Sequence, residues 1–145
     1  MDVAIRIAGP NDAALFGAVA DEIFDNPVLP ALVQSFLTDS RHHVAIATAA
    51  GRQLVGFASA VDYIHPDKPR ELWINEVGVA RNWQKRGIGK ALLRAMLDHG
   101  RTFGCAEAWV LTEPDNAAAN ALYRAVARLH DRAPMPVVMY SFGLD

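Results

Sequence analysis

The stretch Glu76–Leu93, EVGVARNWQKRGIGKALL, decides the fold. An apolar, β-branched run closes at Val79, a short basic loop follows, and two glycines open a run with helical period. Gly87 and Gly89 stand at the helix mouth, directly behind Lys85 and Arg86. A helix N-terminus presents unpaired N–H groups and about half a positive charge. Glycine lets a ligand approach that backbone closely and permits unusual dihedrals. Lys85, Arg86 and Lys90 add mobile positive charge. Together these describe an anion site suited to phosphate. The P-loop spacing G-x-x-x-x-G-K-[ST] and the dinucleotide fingerprint G-x-G-x-x-G are both absent. What stands here is Q-x-x-G-x-G, at Gln84, Gly87 and Gly89.

Working outward, ELWINEVGV reads as a strand, GIGKALLRAMLDHGRTFG as a helix ended near Gly104, and AEAWVLTE as the next strand. These make a βαβ unit over roughly residues 71 to 113. Upstream, VAIRIA alternates as a first strand ended by Gly9-Pro10. NDAALFGAVADEIF reads as a helix capped by Asn11 or Asp12, with Leu15, Val19 and Ile23 on one face. ALVQSFLTD is a short second helix, and HVAIATA and LVGFASAVDYI form a hairpin about the turn AGRQ. Downstream, NAAANALYRAVARL is a helix and PVVMYSFGL a last strand. The fold class expected is α+β: a mixed, mostly antiparallel sheet flanked by helices.

The chain has 145 residues, which suits one domain over 1–145 with a core of its own. A net charge of −2 gives no global field that favours nucleic acid or a membrane surface. The single cysteine, Cys105, excludes an internal disulfide and reads as a small buried hydrophobe. The opening MDVAIRIAGP lacks the basic head and long apolar block of a signal peptide, and no apolar run approaches membrane-span length. A cytoplasmic location is expected. His42, His43, His65, His99 and His130 show no ligand spacing, so no metal is assigned.

The Q-x-x-G-x-G loop resembles the acetyl-CoA loop of the GNAT superfamily of N-acetyltransferases. The preceding strand and the distal NAAANALYRA helix occur in that family's order. Within it, the acidic residue before VGV, the NALYR helix and the ending VVMYSFGLD are most similar to aminoglycoside 3-N-acetyltransferases of the GNAT type. Two departures stand out: AVARLH replaces the glycine-phenylalanine pair after the tyrosine helix, and VARN lacks the proline after the central strand.

The resemblance implies acetyl-CoA as co-substrate. Backbone N–H groups of Lys85, Arg86, Gly87, Ile88 and Gly89 would hold its pyrophosphate, with Gln84 and Lys90 beside them. The pantetheine arm would run along the strand holding Val77 and Val79, Gly78 leaving it room and the Val77 N–H polarising the thioester carbonyl. A splay between this strand and the next would open that slot. Asn116 would contact the pantetheine or phosphate region.

Acetyl transfer to an amine also needs a base and an acid. Glu76 is the candidate base, because burial in a central strand would raise its pKa above the free value of roughly 4.3. The alternative is a strand-end glutamate paired with Arg81. Asn75 faces the other way by alternation and reads as a structural hydrogen-bonder. Tyr123 is the candidate acid toward the thiolate. Asn116, Asn120 and Tyr123 share one helix face, away from a core face of Ala118, Leu122, Ala125 and Val126.

The acceptor expected is a small-molecule primary amine, attacked directly in a ternary complex, with an aminoglycoside 3-amino group the reading drawn from the resemblance. The early helix and the loops DEIFDNPVLP and DYIHPDKPRE offer an acidic rim of Asp21, Glu22, Asp25, Asp62, Asp67 and Glu71, which would attract a polycation. Tyr63 and Trp73 line that site or fill core. A polyamine, another small amine or a peptide amine fits the same rim. A non-catalytic acyl-CoA sensor is the alternative of a different class, and retention of both Glu76 and Tyr123 argues against it. Many relatives pair as homodimers, and the resemblance carries that expectation here.

Overall fold

A computed structural model describes residues 2–145. Its central strand is β3 (Gln53–Tyr63), whose residues 54 to 58 are buried on both faces. β2 (His42–Ala49) pairs antiparallel on one side of it and β4 (Glu71–Val79) on the other. β1 (Ala4–Ile7) lies outside β2, and β5 (Glu107–Val110) lies parallel to β4. The sheet order is therefore β1-β2-β3-β4-β5. The crossover from β4 to β5 is helix α2 (Ile88–Thr102), which completes the expected βαβ unit.

Strand alternation sorts the core into two layers. Ala45, Ala47, Ala58 and Ala60 face α2 and meet its Leu92, Leu93 and Met96. Small residues on that side let a bulky helix face lie close to the sheet. Val44, Ile46, Leu54 and Phe57 face the opposite way, toward Leu15, Ile23 and Leu37. Leu37 belongs to helix α1 (Pro30–Thr38), which covers this second face. Helix α3 (Ala117–Val126) packs beside α2. No helix among the described residues is long and apolar enough to cross a membrane.

The first helix expected from sequence does not form over 11 to 24. A 3-10 segment, Pro10–Gly17, takes its start, and the rest is non-helical. The backbone of 18 to 20 pairs instead with β3: Leu54 N–H donates to Ala18 O at 2.8 Å and Ala20 N–H to Leu54 O at 2.9 Å. Leu15 and Ile23 are still buried, so the apolar period marks the right residues but not the helix. Asp12 caps no α-helix. Its carboxylate accepts the Gly9 N–H at 2.7 Å and a two-pronged bond from Arg6 at 2.7 and 2.8 Å, which holds its pKa at about 2.

The last strand expected at 136–144 forms no ladder either. Val138, Met139, Tyr140 and Phe142 are exposed. β-Propensity measures fit to a paired, half-buried surface, and this segment meets no neighbouring strand. α3 ends at Val126, short of Leu129.

At the end of the sheet where β3 finishes and β4 begins lies a polar clasp. Asp62, 2% exposed, meets His43 Nε2 at 2.7 Å and Arg70 Nη1 at 2.8 Å. His43 Nδ1 meets His99 Nε2 of α2 at 2.9 Å, and Phe103 stacks on His43. Burial pushes the His99 pKa down, and the neighbouring His43 adds to this against the pull of Asp62. Cys105 lies near this clasp as a half-buried free thiol, raised first by burial.

Candidate active site

β4 and β5 pair only from Glu71/Glu107 to Ile74/Val110. Residues 75 to 79 of β4 keep β3 on one side and have no strand on the other. This is the splay expected between the two strands. The direction of the backbone groups there follows from the hydrogen bonds. Ala80 N–H donates to Val55 O of β3 at 2.9 Å. The trans peptide turns the Val79 carbonyl the opposite way, onto the open edge. With a two-residue period, the N–H and C=O of Val77 and Val79 face the gap, while those of Gly78 face β3.

A bulge shapes the same segment. Ser59 pairs with Glu76 and Ala60 with Ile74, so Asn75 has no partner across the ladder. The regular alternation expected at Asn75 is therefore broken, and Asn75 and Glu76 are both exposed. The Gly78 reading also changes. A Cβ there would stand 2.8 Å from Ile23 O and 2.9 Å from the Phe57 ring. Gly78 makes room for the early loop and Phe57, not for a ligand in the gap.

Beyond Val79 the chain turns through a 3-10 segment, Arg81–Trp83, to the glycine loop. Lys85 has φ +61° and Gly87 φ +79°, so two left-handed residues fold the loop back onto the start of α2. Gly87 is the N-cap and offers no side chain. Ala91 N–H makes the first intrahelical bond, to Gly87 O at 3.0 Å, which leaves the N–H groups of Ile88, Gly89 and Lys90 without an intrahelical acceptor. Gln84 Nε2 donates to the Val79 carbonyl at 3.0 Å. Gln84 thus pins the loop to the end of β4 through one amide N–H. Arg86 Nη2 donates to Asn82 O at 3.0 Å, and its guanidinium lies over Trp83. Lys85 and Lys90 are exposed beside the helix start.

α3 closes the far side of this junction. The Leu122 methyls lie 3.5 Å from where a Gly89 Cβ would stand. Asn116 is the N-cap of α3, its Oδ1 accepting the Ala119 N–H at 3.1 Å. Asn120 Nδ2 donates to Asn116 O at 2.8 Å and Glu113 O at 3.0 Å. Both asparagines are tied into the helix start, so Asn116 has a structural use beside any contact with a ligand. Tyr123 is half-buried against the α2-side core with Leu122 and Val126, whereas Ala118 and Ala125 are exposed. Leu122 and Val126 pack as expected of the core face, but Tyr123 packs with them and not on a polar face, and Ala118 and Ala125 do not pack. Burial raises the Tyr123 phenol above its ordinary value, so it stays protonated.

Glu76 opens onto a cavity of about 300 Å³ on the other side of β4. Its far wall is α1, with Val33 and Phe36, and its near wall is Phe24 stacked on Phe57 at 4.2 Å. Glu76 does not pair with Arg81, which sits 3.4 Å from Glu22. Apolar surroundings raise the Glu76 pKa, and the negative charge of Asp25 raises it further. Asp25, named in the expected acidic rim, does border this cavity, whereas α1 is the site element that sequence reading did not single out. Only the interruption by Pro27 and Pro30 signals that α1 folds over the sheet here.

The acidic rim does not assemble. Asp62 lies in the clasp, and Glu71 is held by Lys68 at 3.0 Å and His65 at 2.5 Å, both at the opposite end of β4 from Glu76. Asp21 and Glu22 border an adjoining, more open depression on the early loop, and Asp25 lines both it and the Glu76 cavity. Tyr63 and Trp73 do not line the cavity: Trp73 stacks on Trp109, whose Nε1 donates to Tyr63 Oη at 2.9 Å. No group of His, Cys, Asp and Glu suited to a metal ion occurs among the described residues.

The model of the acetyltransferase (GNAT) family matches residues 16–127. The chain belongs to the GNAT acetyltransferase family. Among its GNAT relatives, an aminoglycoside N(6')-acetyltransferase type 1 of Stenotrophomonas maltophilia is 34% identical over 128 residues, covering 83% of this chain and 82% of that protein. The N-alpha-acetyltransferase RimI of Mycobacterium tuberculosis is 34% identical over 102 residues, covering 70% of this chain but only 61% of its own length. The solved structure of AAC(6')-Iy with a bisubstrate analogue of CoA and acetylneamine superposes with a TM-score of 0.78 at 20% identity, over 99% of this chain and 100% of that one. That likeness shows the GNAT fold. These aminoglycoside relatives are named for the 6' position, not for the 3 position expected from sequence.

Proposed function

We propose that this single GNAT domain transfers the acetyl group of acetyl-CoA to a primary amine by direct attack in a ternary complex. One observation carries the reading: the open β4 edge, with Val77 aimed into the gap, lies between an uncapped helix N-terminus and a cavity holding Glu76. The fit to acetyl-CoA rests on both halves of the gap. A free strand edge suits an amide-bearing arm, and bare N–H groups at the α2 start suit a pyrophosphate. Bound acetyl-CoA supplies an activated acyl carbon and a thiolate leaving group.

The chain's own groups do the rest. Amides of 85 to 89 hold the phosphates, with Lys85 and Lys90 adding charge, while Gln84 and Arg86 keep the loop in shape. Val77 N–H donates to the acyl oxygen as charge develops there. Glu76 takes the proton from the acceptor ammonium, and Asp25 holds that cation beside it. Tyr123 keeps its proton for the departing sulfur.

Free thiol released from acetyl-CoA over a panel of amines tests the reading. Amine-dependent release supports it. Binding of acetyl-CoA with no release on any amine overturns it in favour of the sensor. An aminoglycoside amine enters as a second reading through the named relatives, and the 6' position then replaces the 3 position. The homodimer expected from the resemblance finds support in the exposed apolar residues of 137 to 144. Sedimentation equilibrium tests it, and a monomer at micromolar concentration rejects it.

A further inference from the structure

The Glu76 cavity has the wrong walls for a polycation. Its sides are Phe24, Val33, Phe36 and Phe57, and Leu29 and Leu32 at its border are 54% and 64% exposed. Charge occurs among its lining residues only as Asp25 and Glu76. The side chains able to meet sugar hydroxyls there are Asn26, Ser59 and those two carboxylates. Of the remaining rim carboxylates, Asp62 and Glu71 are engaged at the far end of β4 and Glu22 lies 3.4 Å from Arg81, while Asp21 borders the adjoining depression and does not line this cavity. A hydroxyl-rich ligand would lose water against aromatic rings without replacement hydrogen bonds. An apolar body would instead remove ring and leucine surface from water.

We infer that the acceptor is a small monoamine with a compact alkyl or aryl body, its one ammonium between Asp25 and Glu76 and its body against Phe24, Phe36 and Phe57. The volume, about 300 Å³, lies at the small end of ligand pockets, which fits such an amine. The catalytic half of this inference rests on the acetyltransferase reading above; the binding half does not.

The test is kcat/KM at saturating acetyl-CoA for ethylamine, hexylamine, 2-phenylethylamine, spermidine, kanamycin and a short peptide with an N-terminal alanine. The expected result is that hexylamine and 2-phenylethylamine exceed ethylamine by about tenfold or more, because each buried methylene adds to transition-state binding. Both are also expected to exceed spermidine, kanamycin and the peptide. Leu32→Asn, a change at an exposed position, should narrow the 2-phenylethylamine to ethylamine ratio at least about threefold. A flat response to body size, or preference for spermidine, kanamycin or the peptide, overturns the inference. Calorimetry with the same amines separates this from the activity. Should no amine be acetylated, tighter binding of 2-phenylethylamine than of kanamycin, with a negative heat-capacity change, still supports the pocket assignment while the acetyltransferase reading falls. Equal or reversed binding overturns the assignment.

Discussion

Gln84 Nε2 donates to the Val79 carbonyl at 3.0 Å, so the glutamine of the Q-x-x-G-x-G loop bonds to protein backbone. That bond fixes the distance between the open strand edge and the helix N-terminus. Gln84→Ala is expected to raise the acetyl-CoA Kd about five- to tenfold, as the loss of one hydrogen bond worth about 1 kcal/mol implies. Gln84→Glu should be worse, because a carboxylate cannot donate to a carbonyl. Isothermal calorimetry with acetyl-CoA checks both, and unchanged affinity in both variants refutes the anchoring role.

Asp25 and Glu76 are coupled. The Asp25 charge adds to burial in raising the Glu76 pKa. If Glu76 is the base, activity falls on the acid side as it protonates. Asp25→Asn removes one source of the rise, so the acid limb of kcat/KM should move to lower pH. Glu76→Gln should abolish that limb and lower the plateau by about a hundredfold, within the usual range for a general base. An acid limb that stays in place in both variants assigns it to another group.

Tyr123→Phe removes the proton and keeps the packing against Leu122 and Val126. The expected loss is about a hundredfold in kcat with acetyl-CoA affinity within about twofold of the parent. Pre-steady-state thiol release measures this directly, and a parental rate takes Tyr123 out of the chemistry.

Gly78→Ala sets a methyl 2.8 Å from the Ile23 carbonyl and 2.9 Å from the Phe57 ring. Backbone and a stacked ring yield poorly, so a loss of about 1–3 kcal/mol is expected, as for overpacked cores. Urea unfolding checks it. Affinity for acetyl-CoA should suffer less than stability, which would not hold if Gly78 bordered the ligand.

His99 gives stability a pH dependence. Its folded pKa lies below the ordinary value of 6.5, whereas the unfolded imidazole titrates normally. Below about pH 6.5 the unfolded chain therefore binds more protons, and stability falls as pH drops through that value toward the depressed one. His99→Gln can still bond to His43 and should flatten Tm between about pH 7.5 and pH 5.5. A slope equal to the parent's assigns the effect elsewhere.

The βαβ unit and the glycine loop were legible because period and glycine placement are local properties. Positive φ at Gly87 and an uncapped α2 follow from the residues themselves. The expected first helix does not form because the backbone of 18 to 20 finds a partner in Leu54, a contact between segments far apart in sequence. The acidic rim fails for a different, mostly local reason. Asp62 and Glu71 lie at strand ends beside the loop 64–70, whose Arg70, Lys68 and His65 turn back onto them, and His43 of β2 reaches Asp62 across the sheet. The asparagine neighbours of Tyr123 suggest a polar face in sequence, whereas their polarity serves the helix cap. The bulge at Asn75 leaves no mark in residue type, so which way Glu76 points could not be read without the register.

The buried polar clasp and the gap occupy opposite ends of one sheet. The molecule is held at one end like a hinged pair of slats: Asp62, His43 and Arg70 tie β2, β3 and the start of β4, and the unpaired part of β4 is the free end. Any spreading to admit a guest pivots near Ile74 and Val110, the last residues joined across the two strands. The residues that hold the closed end of the sheet are thus not the ones that border the gap.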